Sequence, residues 1–140
     1  MSWATRPAPA TGRPLAGDRL AIILVADDDS KVRRTIVKAL GGRGHAFLEA
    51  GNGIETMQLL AEHNPQLVIT DIFMPDMDGI ESILAIRRAA PGTKIIAMSG
   101  GGAGPSALYL AAAGKFGADA LLEKPFAIDD LRAMVRQLLD

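Results

Sequence analysis

The chain contains no cysteine and no long apolar run, and each absence excludes a class of protein. Without cysteine in its 140 residues, the chain cannot form disulfides, thiolate metal sites or a cysteine nucleophile. Residues 1–19 lack the apolar centre of a signal peptide, and no apolar stretch approaches the length of a membrane span. We therefore expect a cytoplasmic protein that does not contact the membrane.

The chain also lacks a block of basic residues. Its formal net charge is −1 and its sequence pI is about 6.1. This balance gives no general attraction to nucleic acid or acidic lipid. We expect no nucleic-acid partner, and partners must be recognised by shape.

The composition fits one globular domain with a disordered leader. Apolar residues make up 49% of the chain and charged residues 22%, which is ordinary for a folded domain. Residues 1–17 are rich in Ala, Pro, Gly and Thr, and we predict that they form a disordered tail. The folded domain is predicted over residues 18–140.

Short apolar runs alternate with segments of helical period, which is the pattern of βαβ units and a parallel sheet. We predict an α/β domain with strands at about 21–26, 45–49, 67–71, 94–98 and 120–123. Helices are predicted from Ser30, as the cap, to Leu40, then over 54–63, 80–89 and 105–116, with a last amphipathic helix that reaches the end of the chain.

Polar residues follow the predicted strands where each one ends. Because parallel strands end at one edge of a sheet, we expect a shared pocket there; its members are Asp27, Asp28, Asp71, Ser99 and Lys124. Carboxylates about 4 Å apart repel by roughly 4 kcal/mol at an effective dielectric near 20. Such a site binds protons or a hard cation, and Mg²⁺ suits oxygen ligands best.

In order along the chain, these motifs resemble those of receiver domains of two-component response regulators. The matching segments are Asp27-Asp28, the run from Asp71 to Gly79, Ser99, and Lys124-Pro125-Phe126. The resemblance covers about residues 19–140. It implies a doubly wound, five-stranded parallel sheet in the flavodoxin-like order 2-1-3-4-5, with helices on both faces.

The resemblance also implies a chemistry. Asp71 would accept a phosphoryl group from a phosphohistidine on a sensor histidine kinase or a histidine phosphotransfer protein. Four groups would hold Mg²⁺, namely the carboxylates of Asp27, Asp28 and Asp71 and the backbone carbonyl of Phe73. Ser99 would donate a hydrogen bond to the bound phosphoryl group. Lys124 would neutralise its charge and precede a cis bond to Pro125.

Simpler roles stay open for several residues. Asp71 could cap a turn, Ser99 could cap a helix, and Lys124 could be a surface lysine. Asp29 is expected to favour the first turn of the first helix, and Asp76 and Asp78 to be solvated turn residues rather than metal ligands. The Gly-x-Gly-x-x-Ala match within 100–107 could indicate a dinucleotide fold, but it follows the fourth strand rather than the first, so a mobile loop is preferred.

Two positions depart from the family pattern. Leu121 replaces the aromatic residue three positions before Lys124 that rotates inward on activation, so a different readout is expected. Phe73 lies two positions after Asp71, where a small polar residue often orients water. We hypothesise that Phe73 shields the phosphoryl bond and changes its hydrolysis rate.

Because the chain stops at Asp140, it resembles a single-domain regulator that switches protein contacts or relays phosphate. By analogy with the family, the surface of the fourth helix, fifth strand and fifth helix would bind a downstream protein whose identity the sequence does not give. Two alternatives remain, a receiver-like interaction module that works without phosphorylation and a Mg²⁺-dependent phosphohydrolase. The second normally needs an acid where Phe73 lies.

Overall fold

A computed structural model of the chain describes residues 21–77, 79–100 and 111–140. The predicted tail, Asp78, Tyr109 and most of the glycine-rich segment after Ser99 lie outside the described residues. The start predicted for the fourth helix also lies outside them.

Five parallel strands form one sheet, as the alternating pattern predicts. They are β1 (Ile22–Ala26), β2 (Ala46–Ala50), β3 (Leu67–Asp71), β4 (Lys94–Gly100) and β5 (Ala120–Lys124). Their spatial order is β2-β1-β3-β4-β5, which confirms the predicted fold class. β4 and β5 each continue past their predicted ends, so Ser99 and Lys124 lie inside strands.

Helices connect the strands. Their bounds are α1 (Ser30–Leu40), α2 (Gly53–His63), α3 (Gly79–Ala89), α4, of which residues 111–115 are described, and α5 (Ile128–Leu139). Among the described residues, none of these helices has the length and apolarity needed to cross a bilayer.

The start of α1 corrects one prediction. Ser30 was predicted as the cap, but the N-cap is Asp29, whose carboxylate accepts a hydrogen bond from the backbone N–H of Lys31 at 2.8 Å. Asp is at least as good an N-cap as Ser because its oxygens accept from the open N–H groups of the first turn. Asp29 therefore does stabilise the first turn, and it does so by direct hydrogen bonding.

Aliphatic side chains bury both faces of the sheet. One cluster joins Leu24 and Val68 to α2, α3 and α4 through Leu60, Ile83 and Ala113. The other cluster packs alternate strand residues against α1 and α5; its members include Ile23, Ile69, Ile36, Leu131 and Val135. Central parallel strands are apolar on both faces for this reason, and the helices are doubly wound as predicted.

Candidate functional site

The strand register brings the predicted site residues to one edge of the sheet. Asp71 pairs with Met98 in the β3–β4 ladder, and Gly100 pairs with Lys124 in the β4–β5 ladder. Asp27 directly follows the last residue of β1. Asp27 and Asp71 therefore lie at about the same level, Lys124 lies two positions further along, and all three are at the carboxyl edge of the sheet.

The ammonium group of Lys124 joins two carboxylates there. Its Nζ lies 2.6 Å from Asp27 Oδ2 and 2.8 Å from Asp71 Oδ2. Asp27 is fully buried and Asp71 is only 7% exposed. Lys124 is thus a half-buried partner of two acids, and the alternative of an unpaired surface lysine does not describe it.

Each of these carboxylates also accepts from the backbone. Asp27 Oδ1 receives the N–H of Asp29 at 2.9 Å, and Asp71 Oδ1 receives the N–H of Phe73 at 2.8 Å. One oxygen of each acid is therefore fixed by the chain and the other by Lys124. This arrangement holds both carboxylates in a defined orientation, which a phosphoacceptor and a metal ligand both need.

A third acid completes a cluster that could hold a metal ion. Ligand oxygens of Asp27, Asp28 and Asp71 all lie within 4.8 Å of one another, and Asp28 is exposed. When all groups are ionised, three carboxylates and one ammonium leave two negative charges. That charge and the all-oxygen donor set suit Mg²⁺, which keeps several waters and uses few protein ligands. The residues present therefore fit a magnesium ion.

Burial and charge shift two pKa values in the site. Burial raises the pKa of Asp71 above its ordinary value of 3.8, and this outweighs the hydrogen bonds from Lys124 and Phe73, which lower it. Burial alone would lower the pKa of Lys124, but its hydrogen bonds to Asp27 and Asp71 prevail and raise it. The lysine therefore stays charged, while Asp71 holds its proton more tightly than a free aspartate.

Ser99 lies on β4, one residue beyond the partner of Asp71, and is only 1% exposed. Its hydroxyl donates to the carbonyl of Gly100 at 3.2 Å. Because Ser99 belongs to a strand, its alternative as a helix cap is wrong. The bond between Lys124 and Pro125 is cis, as the resemblance implied.

The two departures from the family pattern lie partly at the surface. Phe73 is 42% exposed and Leu121 is 38% exposed. Phe73 directly borders the site because its backbone N–H reaches Asp71. Its backbone carbonyl stays a predicted metal ligand.

Sequence reasoning missed two residues that support the site. Arg33 of α1 donates from Nη1 to the backbone carbonyl of Asp27 at 2.6 Å and pairs with Glu49 at 3.0 Å. Asp76 is exposed, as predicted for a turn residue, but its carboxylate also accepts two backbone N–H groups of α2. The Asp76 contact joins segments more than twenty positions apart, and the Arg33 contact spans the turn between β1 and α1; no residue pattern in the sequence predicts either of them.

Comparison with known families agrees with this architecture. The profile of the response regulator receiver domain matches residues 23–136. The chain therefore belongs to the receiver domains of response regulators, a family of two-component signalling domains.

Relatives and solved structures support the same assignment. The response regulator MprA of Mycobacterium sp. (strain KMS) is 35% identical over 84% of this chain and 50% of its own length. The sensor kinase CckA of Brucella abortus (strain 2308) is 34% identical over 86% of this chain and 13% of its own length. A CheY-like receiver domain protein from Methanospirillum hungatei JF-1 is similar in structure, with a TM-score of 0.76, 28% identity and coverage of 87% of this chain and 95% of that one.

The match covers only part of these curated proteins. The chain spans half the length of MprA and 24% of the DNA-binding transcriptional regulator NtrC of Azospirillum brasilense, to which it is 35% identical over 86% of its own length. The shared part is the receiver domain, and the activities of the longer proteins do not follow from it.

Proposed function

We propose that the chain accepts a phosphoryl group on Asp71 from a phosphohistidine of a sensor histidine kinase or a histidine phosphotransfer protein. The phosphorylated form then switches protein contacts or passes the group onward. The observation that carries this proposal is the single ammonium of Lys124 bound to two buried carboxylates, at 2.6 and 2.8 Å, beside a third acid.

The residues suit phosphoryl transfer in a specific way. An oxygen of Asp71 attacks phosphorus, the new P–O bond forms, and the P–N bond to the donor imidazole breaks with its electron pair returning to nitrogen. Lys124 already lies against Asp71 Oδ2, so its charge is available to the transferring oxygens. Ser99 lies at the end of the adjacent strand and would donate its hydroxyl to the bound phosphoryl group.

The metal ligands in this proposal are Asp27, Asp28, Asp71 and the carbonyl of Phe73. Magnesium, when bound, supplies positive charge to the phosphoryl oxygens, which is where phosphoryl transfer needs stabilisation. The backbone N–H groups of Asp29 and Phe73 hold the two buried carboxylates for it. Protons compete for the same oxygens, and the raised pKa of Asp71 extends this competition to higher pH than for a free aspartate.

A phosphohydrolase finds less support in the same geometry. That reaction needs a general acid beside the nucleophile, two positions later in the chain. Phe73 is at that position and has no proton to donate. A stable aspartyl phosphate is the better expectation.

Mass spectrometry of the intact protein tests the proposal. With Mg²⁺ and acetyl phosphate, we expect one added phosphoryl group, lost when the metal is chelated. Asp71→Asn should remain unlabelled because its amide is not a nucleophile. Peptide mapping of the borohydride-reduced protein should place the label on Asp71.

Asp29→Asn is the matched control. Asp29 lies beside the acidic pair but caps α1, and Asn is an equally good N-cap, so this variant should fold and label like the wild type. Labelling of Asp71→Asn to the wild-type level, or labelling that does not depend on Mg²⁺, would refute the proposal.

A further inference from the structure

Asp76, which lies outside the acidic cluster, makes a contact with a segment far away in the chain. Asp76 Oδ1 accepts the backbone N–H of Gly53 at 2.7 Å, and Asp76 Oδ2 accepts that of Ile54 at 3.0 Å. Both donors belong to the first turn of α2. Asp76 therefore clamps the segment that follows β3 to a different helix, more than twenty positions earlier in the chain.

The clamp completes the N-terminus of α2. The first turn of a helix leaves its N–H groups without partners inside the helix. Asn52 Oδ1 accepts the N–H of Glu55 at 2.8 Å, and Asp76 takes the N–H groups of Gly53 and Ile54. A carboxylate is favoured there by the helix dipole, and these two hydrogen bonds hold the pKa of Asp76 below its ordinary value. Asp76 is thus an ionised cap supplied from outside the helix.

The same region is closely packed. A Cβ added to Gly53 would lie 2.9 Å from Met77 Cβ, so only glycine admits this approach of α2 to the residues after β3. A Cβ on Gly79 would clash with the backbone of Ile72. The described residues between β3 and α3, which we name the 72–77 loop, are therefore confined near each end.

The 72–77 loop also contains a turn that sets the direction of Asp76. The backbone N–H of Met77 donates to the carbonyl of Met74 at 3.3 Å, with Pro75 and Asp76 at the two central positions. Met74 is only 6% exposed. A buried anchor, a proline turn and a carboxylate clamp thus follow one another directly after Phe73.

We propose that Asp76 is a positioning residue that sets the magnesium affinity of the site by fixing the 72–77 loop, and with it the backbone carbonyl of Phe73, against the N-terminus of α2. This inference rests on the proposed function, because Phe73 is a metal ligand only there. The carboxylate of Asp76 accepts its two hydrogen bonds from α2, so it would act on the metal through the loop rather than as a ligand. Groups that orient metal ligands from behind typically change metal affinity about 10- to 100-fold when removed.

Magnesium titration of the unphosphorylated protein tests the proposal. We compare Kd values from isothermal titration calorimetry for the wild type, Asp76→Ala and Asp76→Asn, well below the melting temperature of each. Asp76→Ala loses both acceptors and should bind Mg²⁺ about tenfold more weakly. Asp76→Asn keeps one acceptor and should show a smaller loss.

The difference in Mg²⁺ affinity between the two variants distinguishes a positioning role of Asp76 from an effect of its charge. Both variants remove the same negative charge, so a purely through-space effect would weaken Mg²⁺ equally in both and would overturn the proposal. Glu62→Gln makes the same change of charge at the exposed far end of α2 and should leave the Kd unchanged. Wild-type affinity in Asp76→Ala would also overturn the proposal.

Amide hydrogen exchange without metal gives an independent readout. In Asp76→Ala, exchange at Gly53 and Ile54 should accelerate because their acceptor is gone, and the amide signal of Phe73 should shift; an unchanged Phe73 signal would count against the positioning role. A wild-type protein that binds no Mg²⁺ would overturn the proposed function and this inference together. A wild type that binds Mg²⁺ and is labelled, alongside an equally tight Asp76→Ala, would overturn this inference alone.

Discussion

Each of the two edges of the sheet pairs a basic side chain with one or more carboxylates, but the balance of positive and negative charge differs between them. At the amino edge, the guanidinium of Arg87 donates to the carbonyls of Pro91, Thr93 and Gly117 and to Asp119, all at 2.6 to 2.9 Å. One cation there meets one carboxylate and three neutral carbonyls. At the carboxyl edge, one ammonium serves two buried carboxylates, with a third acid close by.

The difference is one of charge balance. Asp119 also accepts the backbone N–H of Ile95 at 2.8 Å, so the amino edge joins α3, β4 and the segment before β5 without excess charge. The carboxyl edge keeps an excess of negative charge in a buried place, which costs stability. We infer that the amino edge stabilises the fold and that the carboxyl edge gives up stability in order to bind a cation and a phosphoryl group.

The largest effect is expected at the amino edge. Arg87→Met keeps the aliphatic stem but removes four hydrogen bonds, and it should lower the free energy of unfolding by about 2–3 kcal/mol. Urea denaturation measures this change. Arg88→Met, the same substitution at the exposed neighbour, should change stability by less than about 0.5 kcal/mol. Equal effects of the two substitutions would remove the contrast between the edges.

At the carboxyl edge, we expect a substitution to raise the free energy of unfolding rather than lower it. Asp71→Asn removes a buried charge while Lys124 keeps Asp27 as its partner. Without metal at neutral pH, this substitution should raise the free energy of unfolding by about 1 kcal/mol. Such gains are common when a residue that is retained for function rather than stability is replaced. Asp29→Asn should have no such effect. Destabilisation by Asp71→Asn would show that the acidic cluster is a structural element.

The stability gained by Asp71→Asn should depend on pH because the pKa of Asp71 is raised in the folded protein. Between the ordinary value of 3.8 and the higher folded value, the folded protein binds the proton more tightly than the unfolded chain does. Stability therefore falls as pH rises through that window. The advantage of Asp71→Asn should be present at neutral pH and should disappear below about pH 3.8.

The smallest effect is expected at the rim of the carboxyl edge. Phe73 is 42% exposed and lies two positions after Asp71, the last residue of β3. If it shields the phosphoryl bond from water, Phe73→Asn should change the lifetime of the aspartyl phosphate several-fold and leave stability nearly unchanged. The decay of the intact phosphoprotein mass after removal of acetyl phosphate measures this lifetime. An unaltered lifetime would end the shielding hypothesis.

Local patterns in the sequence predicted the parallel α/β class and the clustering of the acids, while the strand order was predicted from the resemblance to receiver domains. Parallel strands must end at one edge, so the positions of Asp71 and Lys124 followed from chain order alone. The cap of α1 was misplaced by one residue because Asp29 and Ser30 are both good N-caps. The sequence alone does not show which of the two is the N-cap.

The supporting contacts follow from no such sequence pattern. Asp76 reaches Gly53, and Arg33 reaches the carbonyl of Asp27, through packing that depends on the finished fold. In a sequence, a turn aspartate or a helical arginine looks the same whichever way its side chain points. Such residues become visible only when the positions of both elements are known.

A crystal structure with Mg²⁺ and beryllofluoride, a mimic of the phosphoryl group, would show whether Asp71 is the phosphoacceptor. We expect beryllofluoride on the carboxylate of Asp71, with Mg²⁺ bound by Asp27, Asp28 and Asp71 and by the carbonyl of Phe73. A bare Asp71 carboxylate that still pairs with Lys124, with no metal beside it, would refute the proposed function.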